Sequence, residues 1–387
     1  MRTLLNYIVL RNSKAFALHK YIGLITGVVV FIVSITGACW VFKEEVEGFY
    51  NEFKTVEVIQ KERITATQAK DIAESYIPDQ PVHGVIYGAD DEALEVVFYR
   101  ENPEFYQSVF LNPYSGDFIK RVNHFGGFFG FVLRGHMYLW LPNSIGALVV
   151  EVSIFLFLIM VITGIILWWP KKRKNLKSSL KISWKSTTRW RRKNYDLHKI
   201  VGFYSSILAF VFGFTGSVIA LGWFYFIYYT GMGGEKLPMF VIPNSEKIAV
   251  ESVLDSHIDN PIDNLIPFLE KDDPKAKSFE LHFPDNDSTS IYVEVVQTEG
   301  LTYNIDYRFF DQNTLEEQYT YGIYGSYKHA DFADKAIRMN YDIHIGAIGG
   351  LPGKIIAFLA SLVTATLPVT GIVMWFGRRK KTKKARP

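Results

Sequence analysis

Four long apolar stretches, set apart by two long segments of mixed polarity, organise the chain. Residues 21–42 hold no charge, 144–169 only Glu151, 200–229 none, and 352–376 only Lys354 near its start. Each reaches the roughly 20 helical residues needed to cross about 30 Å of hydrocarbon. Trp40, Trp140, Trp168, Trp169, Trp223 and Trp375 stand near the ends of these runs, where amphipathic rings favour the membrane interface. One such run is compatible with a buried helix of a large soluble protein; four predict an α-helical membrane protein with a four-span bundle.

The two intervening segments, 43–134 and 230–342, read differently. In the first, Thr65-Ala66-Thr67-Gln68 has the form of a capping box opening a helix over 66–76. Alternation predicts strands at 94–99 and 106–111, and the turn 112–117 leads into another. In the second, a helix is predicted near 248–256, with strands near 278–282, 290–296 and 302–309. Two small α+β modules are therefore expected, without a nucleophile motif, phosphate loop or zinc spacing in either.

Charge adds an orientation. The chain has 42 basic and 39 acidic residues, a net +3, but residues 1–20, 170–199 and 377–387 together carry 23 basic residues and one acid, Asp196. The remainder holds 19 basic and 38 acidic residues. Short basic flanks stay on the cytoplasmic side, so both termini and the 170–199 loop are expected inside and the two modules outside. Trp184 and Trp190 among the loop's lysines and arginines do not make it a nucleic-acid site; positive-inside topology and attraction to anionic lipid explain the same charges. Thr36-Gly37-Ala38-Cys39 is reminiscent of a lipoprotein cleavage site, but the preceding run is full length and the usual leucine is missing, so it reads as a span. The single cysteine excludes a disulfide framework, CxxC chemistry and covalent CxxCH haem attachment.

The sequence also repeats. Leu18-His19-Lys20 precedes the first span and Leu197-His198-Lys199 the third, each followed 17 residues after its histidine by a Thr-Gly pair, Thr36-Gly37 and Thr215-Gly216. The second span follows His136 and ends with Thr163-Gly164-Ile165-Ile166-Leu167-Trp168; the fourth follows His344 and ends with Thr370-Gly371-Ile372-Val373-Met374-Trp375. Each half reads as span, outer segment, span, which predicts a duplicated unit.

Four of the nine histidines thus head the four spans. Polar residues at membrane depth are costly and mark function. His19 and His198 belong to one depth, His136 and His344 to the other. Facing imidazoles from different helices suit the iron of a b-type haem, which needs no cysteine; zinc would need further ligands that do not cluster at either depth. Two b haems, one per depth, are the expected cofactors, with His19, His198, His136 and His344 as iron ligands. A pair of carriers divides the crossing into short electron hops.

Secondary candidates surround these four. Asp196 and Asp342 lie two residues before His198 and His344 and either orient the imidazoles or cap helix starts. Thr36-Gly37 lies about 25 Å along the helix from His19, near the outer histidine pair, and Thr163-Gly164 falls near the cytoplasmic pair; the glycines there admit a bulky ring or let helices pack closely. Glu151 is neutral, hydrogen-bonded to a partner helix or proton-carrying; its counterpart at position 358 is Phe. His124, in the aromatic run before His136, and His329 either line a site over the outer haem or belong to interfacial segments. His83, His257 and His282 read as ordinary surface residues of the modules.

These motifs resemble the PepSY-associated transmembrane family, whose members are described as iron-regulated or iron-uptake inner-membrane proteins. The likeness rests on Leu18-His19-Lys20 with Thr36-Gly37, on Thr163-Gly164-Ile165-Ile166-Leu167-Trp168-Trp169-Pro170, and on Tyr341-Asp342-Ile343-His344-Ile345-Gly346 followed by Gly350-Leu351-Pro352-Gly353-Lys354. The family includes bacterial dihaem ferric-siderophore reductases with PepSY-like outer modules. The resemblance implies a bacterial inner-membrane oxidoreductase with the four histidines as haem ligands, reducing siderophore-bound Fe(III) in the periplasm and releasing Fe(II). The 170–199 loop is too short for a flavin or NADPH domain, so a membrane quinol or a separate cytoplasmic reductant must donate. The rival expectations are a non-redox PepSY membrane protein that binds peptides or regulates a peptidase, and a transporter of haem or iron-siderophore. The expected order is an N-terminal flank 1–20, span 21–42, module 43–134, interfacial segment and span 135–169, basic loop 170–199, span 200–229, module 230–342, interfacial segment and span 343–376, and tail 377–387.

Overall fold

The computed structural model describes residues 2–101, 104–170, 172–245 and 260–384. In chain order the first half contains α1 (Arg2–Trp40), α2 (Lys43–Gly48), α3 (Ala66–Glu74), β1 (Gly84–Tyr87), β2 (Leu94–Arg100), β3 (Phe105–Leu111), β4 (Phe118–Asn123), α4 (Gly127–Tyr138) and α5 (Asn143–Trp168). The second contains α6 (Leu176–Leu180), α7 (Trp190–Ala220), α8 (Gly222–Gly231), α9 (Leu265–Asp272), β5 (Ser278–His282), β6 (Ile291–Val296), β7 (Asp306–Phe310), β8 (Glu317–Gln318), α10 (Phe332–His344) and α11 (Gly350–Lys384). Two units result: a helical one (Met1–Lys43, Phe131–Tyr225 and Ile343–Pro387) and a sheet one (Glu44–Gly130 and Phe226–Asp342).

In the helical unit, four helical stretches are long and apolar enough to span a membrane: Lys14–Trp40, Asn143–Trp168, Trp190–Ala220 and Ala347–Gly377. α1 packs on α5 and α11, and so does α7, so α1 and α7 occupy opposite corners of the bundle. Small residues and a few aromatics turn inward: Ala38, Phe157, Ala209, Ala357 and Ala360 are buried, whereas Ile25 and Ile207 are 75% and 74% exposed. That inversion suits lipid, where apolar surface needs no burial and close helix contact favours small side chains. Buried hydroxyls return to their own helix: Thr26 donates to Ile22 O at 3.0 Å, Ser217 to Gly213 O at 2.8 Å and Thr364 to Ala360 O at 2.8 Å. Without water at that depth, each polar group must find an internal partner.

Two boundaries differ from expectation. α1 runs on without a break from the basic flank, so His19 lies inside a long helix rather than at its start. The third apolar run is not one helix through Tyr229: Leu221 takes extended backbone (φ −109°, ψ 100°) and separates α7 from α8. Hydrophobicity alone does not register such a break, because α8 is as apolar as the helix before it. The basic loop folds against the helical unit, with Trp168 Nε1 donating to Ser179 O at 3.2 Å and Lys199 Nζ to Ser179 Oγ at 3.0 Å.

The sheet unit corrects the expectation of two modules. Its eight strands form one antiparallel sheet in the order β4-β3-β2-β1-β5-β6-β7-β8. The two meanders join through β1 and β5, in the register Gly84 with His282 and Tyr87 with Phe279. Either meander alone would expose the backbone groups of its first strand, and pairing the two edges satisfies both. One face packs on α3 and α9, burying Ala69, Ala73, Val96, Phe98, Leu269, Leu281 and Val293. The Thr65 capping box forms as the sequence predicts, with both reciprocal bonds to Gln68. β1 and the two-residue β8 escaped the pattern reading, being too short for alternation to register. The helix expected near 248–256 lies outside the described residues.

Candidate functional site

The helical unit brings the four span-heading histidines together in two pairs. His19 of α1 faces His198 of α7 with ring centroids 6.2 Å apart and planes at 80°; His136 of α4 faces His344 of α10 at 6.3 Å and 62°. Each pair reaches across a diagonal of the bundle. The His136–His344 pair borders an internal cavity also lined by Val33, Gly37, Phe157 and Gly213.

The remaining helix corners hold the rings. His19 Nδ1 lies 3.0 Å from Met160 O and 3.1 Å from Thr163 Oγ1. His136 Nδ1 lies 3.0 Å from Val33 O and 3.3 Å from Thr36 Oγ1. His198 Nδ1 is 2.8 Å from Thr370 Oγ1, and His344 Nδ1 2.8 Å from Thr215 Oγ1. Every one of these threonines already donates its hydroxyl proton to a carbonyl three or four residues back on its own helix, at 3.0 Å for Thr163, 2.7 Å for Thr36, 2.8 Å for Thr215 and 2.9 Å for Thr370. A hydroxyl so engaged accepts from the ring, as the backbone carbonyls do. The proton therefore sits on Nδ1, and Nε2 keeps its lone pair, an assignment that follows from the hydrogen-bond network.

The glycine after each threonine makes room for the ring. A Cβ on Gly37 would lie 3.0 Å from His136 Cε1, on Gly164 3.2 Å from His19 Cε1, on Gly216 3.1 Å from His344 Cε1 and on Gly371 3.6 Å from His198 Cε1. Both sequence readings of these glycines need amending: the ring they admit is the imidazole itself. The threonines were missed as functional residues. Their signal was present, since a threonine precedes the glycine in all four motifs, but hydroxyls in helices ordinarily serve only their own backbone.

This donor set fits a haem. An iron–nitrogen bond of about 2 Å and about 1 Å from nitrogen to ring centre, counted on both sides, give roughly 6 Å between centroids, which is what both pairs have. Each pair offers two neutral nitrogen donors on opposite helices, the number a planar tetrapyrrole leaves open on its iron.

Other candidates lie elsewhere. Asp196 accepts from Arg192 Nε at 3.0 Å and Trp184 Nε1 at 3.4 Å, inside α7. Asp342 accepts from Thr302 N at 3.0 Å and Tyr303 N at 2.8 Å, in the last turn of α10. Neither carboxylate bonds an imidazole or caps a helix start, because Thr and carbonyl groups already occupy Nδ1 of His198 and His344. Glu151 is partly exposed on α5 and has no hydrogen bond or ion pair among the described residues; the neighbouring Ser153 and Ile154 line the cavity, and it does not.

His124 and His329 do not converge on one site. His124 follows β4, where its ring stacks on Tyr106 at 4.1 Å and Nε2 is 2.7 Å from Ser108 Oγ. The exposed His329 lies in a groove along β7 and β8 at the opposite edge of the sheet. His83 and His282 are not surface residues: His282 is 3% exposed and stands 4.8 Å, centroid to centroid, from the half-buried His83. Burial, reinforced by His282, pushes His83 down to about 4. Burial also pushes Glu280 and Glu294 up to about 7, against the pull of His282 and Arg338 respectively. His257 lies outside the described residues.

No curated protein matches the chain. The model of one family, the PepSY-associated TM region, matches residues 16–378, a stretch that takes in all four facing histidines, their threonines and the sheet between them, and the chain belongs to this family.

Proposed function

We propose that this protein is a b-type dihaem oxidoreductase of the bacterial inner membrane that carries electrons outward to Fe(III)-siderophore on the periplasmic side and releases Fe(II). The observation that carries the reading is the pair of facing, Nδ1-protonated histidines at each end of a four-helix bundle. When bound, a haem at each pair supplies a one-electron carrier with bis-imidazole ligation.

The chain's own residues define what surrounds those carriers. His19 and His198 would hold one haem, His136 and His344 the other, and Thr163, Thr370, Thr36 and Thr215 keep the proton on Nδ1 so that each Nε2 lone pair stays free for iron. Val30, Phe157 and Ala209 form an apolar cluster between the two depths. The basic flanks support a cytoplasmic His19–His198 end, where a quinol or a separate reductant would donate, and a periplasmic side for the segments 43–134 and 230–342. Each Fe(III) takes one electron, so one quinol serves two ferric complexes and leaves its two protons on its own side. The choice of ferric siderophore as substrate is supported by the motif resemblance and by family membership.

The test is spectroscopic. Protein purified from haem-replete cells is expected to show a reducible b-type Soret band and about two haems per chain. His19→Ala and His136→Ala should each halve that content. A colourless preparation, or both haems surviving all four single substitutions, overturns the reading. In liposomes with internal reductant and external ferric siderophore, Fe(II) is expected outside; iron delivered into the lumen would instead mark a transporter.

A further inference from the structure

We infer that the sheet unit carries a binding site for a divalent first-row transition-metal ion, formed by Glu280, His282 and Glu294. The site is independent of the haem reading and uses none of its residues.

The sequence places these three side chains together through strand geometry. Glu280 and His282 are two apart on β5 and so share one face. Glu294 on β6 is the register partner of Glu280, and Tyr292 that of His282. All three candidate ligands thus project from the face opposite the apolar layer built with α3 and α9. One donor atom from each lies within 4.8 Å of the others, and His282 Nε2 is 3.5 Å from both Glu280 Oε1 and Glu294 Oε1. Ligands bound at about 2.0–2.2 Å around one ion stand roughly 3–3.5 Å apart, so the imidazole already stands at that distance from both carboxylates, and the two carboxylates, within 4.8 Å, need a small side-chain rotation to share the ion.

The second observation is the histidine itself. His282 is 97% buried, and among the described residues neither ring nitrogen has a hydrogen-bond partner. Buried polar atoms are nearly always satisfied, and an exception calls for an explanation such as an ion. The ring is not there as filler. Tyr292 stacks on it at 4.0 Å with planes 10° apart, and Gly84, across the β1–β5 pairing, leaves space that a Cβ would take at 3.2 Å from Nδ1. Aromatic clamp and missing side chain together hold the imidazole so that Nε2 meets the two carboxylates.

The donor chemistry selects the class of ion. Two carboxylates and one imidazole mix hard and borderline ligands, which suits Mn(II), Fe(II), Co(II) or Zn(II) over the oxygen-only preference of calcium and magnesium. Two half-buried glutamates facing each other also repel when ionised, and a divalent cation neutralises both. Of the charged groups nearby, Glu95 is held by Ser108 at 2.6 Å and Lys54 at 3.6 Å, and Arg338 bonds Gly325 O at 3.2 Å and Ile305 O. Among the described residues neither Lys54 nor Arg338, the nearby cations, forms an ion pair with Glu280 or Glu294.

Zinc chloride is the probe, titrated calorimetrically into full-length protein in detergent after EDTA treatment and dialysis. Wild type is expected to bind one Zn(II) per chain more than Glu280→Gln, His282→Ala or Glu294→Gln. Any weaker residual binding in those variants should fall by at least tenfold in affinity. Zn(II) should raise the unfolding temperature of wild type and leave that of Glu280→Gln, which keeps the shape of the site, unchanged. Haem content should be equal in all four proteins. Equal zinc stoichiometry and affinity in wild type and variants, or a wild type with no zinc-dependent shift in unfolding temperature, would overturn the proposal.

Discussion

Thr215 Oγ1 lies 2.8 Å from His344 Nδ1 while donating its own proton to Val211 O at 2.8 Å. One side chain on α7 thereby sets the protonation of a ring on α10. If that bond holds the ligand in place, Thr215→Val should lower haem affinity at the His136–His344 end by roughly tenfold, at the lower limit for lost ligand support because a backbone carbonyl remains. Thr215→Ser should restore it. Haem loss to apomyoglobin, followed by absorbance, separates the two variants.

The four glycines make a graded series. Adding a methyl at Gly37 meets His136 at 3.0 Å, whereas at Gly371 the distance to His198 is 3.6 Å. Gly37→Ala is expected to destabilise the unit by about 1–3 kcal/mol through overpacking and to reduce haem content, with Gly371→Ala close to wild type. Thermal unfolding and haem stoichiometry of the two proteins check the order; the reverse order would show that the glycines serve helix contact instead.

Asp342 provides a contrast with the threonines. Its buried carboxylate gathers Thr302 N, Tyr303 N and Thr302 Oγ1, so Asp342→Ala should cost about 1–3 kcal/mol through the loss of these charge-assisted hydrogen bonds and leave the His344 spectrum unchanged. Differential scanning calorimetry beside the reduced-minus-oxidised spectrum distinguishes a loop anchor from a ligand-orienting group.

Asp334 is fully buried, accepting from Tyr229 OH at 2.9 Å and pairing with Lys236. Asp334→Ala strands the buried tyrosine hydroxyl while the Lys236 ammonium, 39% exposed, stays solvated, so a loss of about 1–3 kcal/mol is expected. Asp334→Ala with Tyr229→Phe should recover part of it in chemical denaturation.

Glu151 has no partner among the described residues and stays off the cavity wall. Glu151→Gln is therefore expected to keep haem content and iron-reduction rate within about twofold of wild type. A larger fall in rate at full haem content would return Glu151 to the mechanism as a proton carrier.

Much of the architecture was legible along the chain because membranes impose simple rules. Four apolar runs predicted four helices, since lipid tolerates no unsatisfied backbone. His19, His136, His198 and His344 stood out because imidazoles are expensive at that depth. The break at Leu221 was not legible, because hydropathy does not sense backbone direction. Nor was the joining of β1 to β5, where residues almost 200 positions apart meet and no local pattern encodes the partner. His282 was misjudged for a related reason: the alternation that sends Glu280 and Glu294 to its side also marks an exposed face, and only the tertiary packing buries the histidine on it.

The sequence by itself determined membrane class, span number and the residues capable of ligation, because these depend on local hydrophobicity, charge and side-chain chemistry. The tertiary structure alone decided which histidine faces which and that threonine rather than aspartate holds each Nδ1. It also decided that the segments 43–134 and 230–342 share one sheet and that a histidine and two glutamates meet on its second face. Those outcomes depend on distances between residues far apart in the chain, and distance is the quantity that folding supplies.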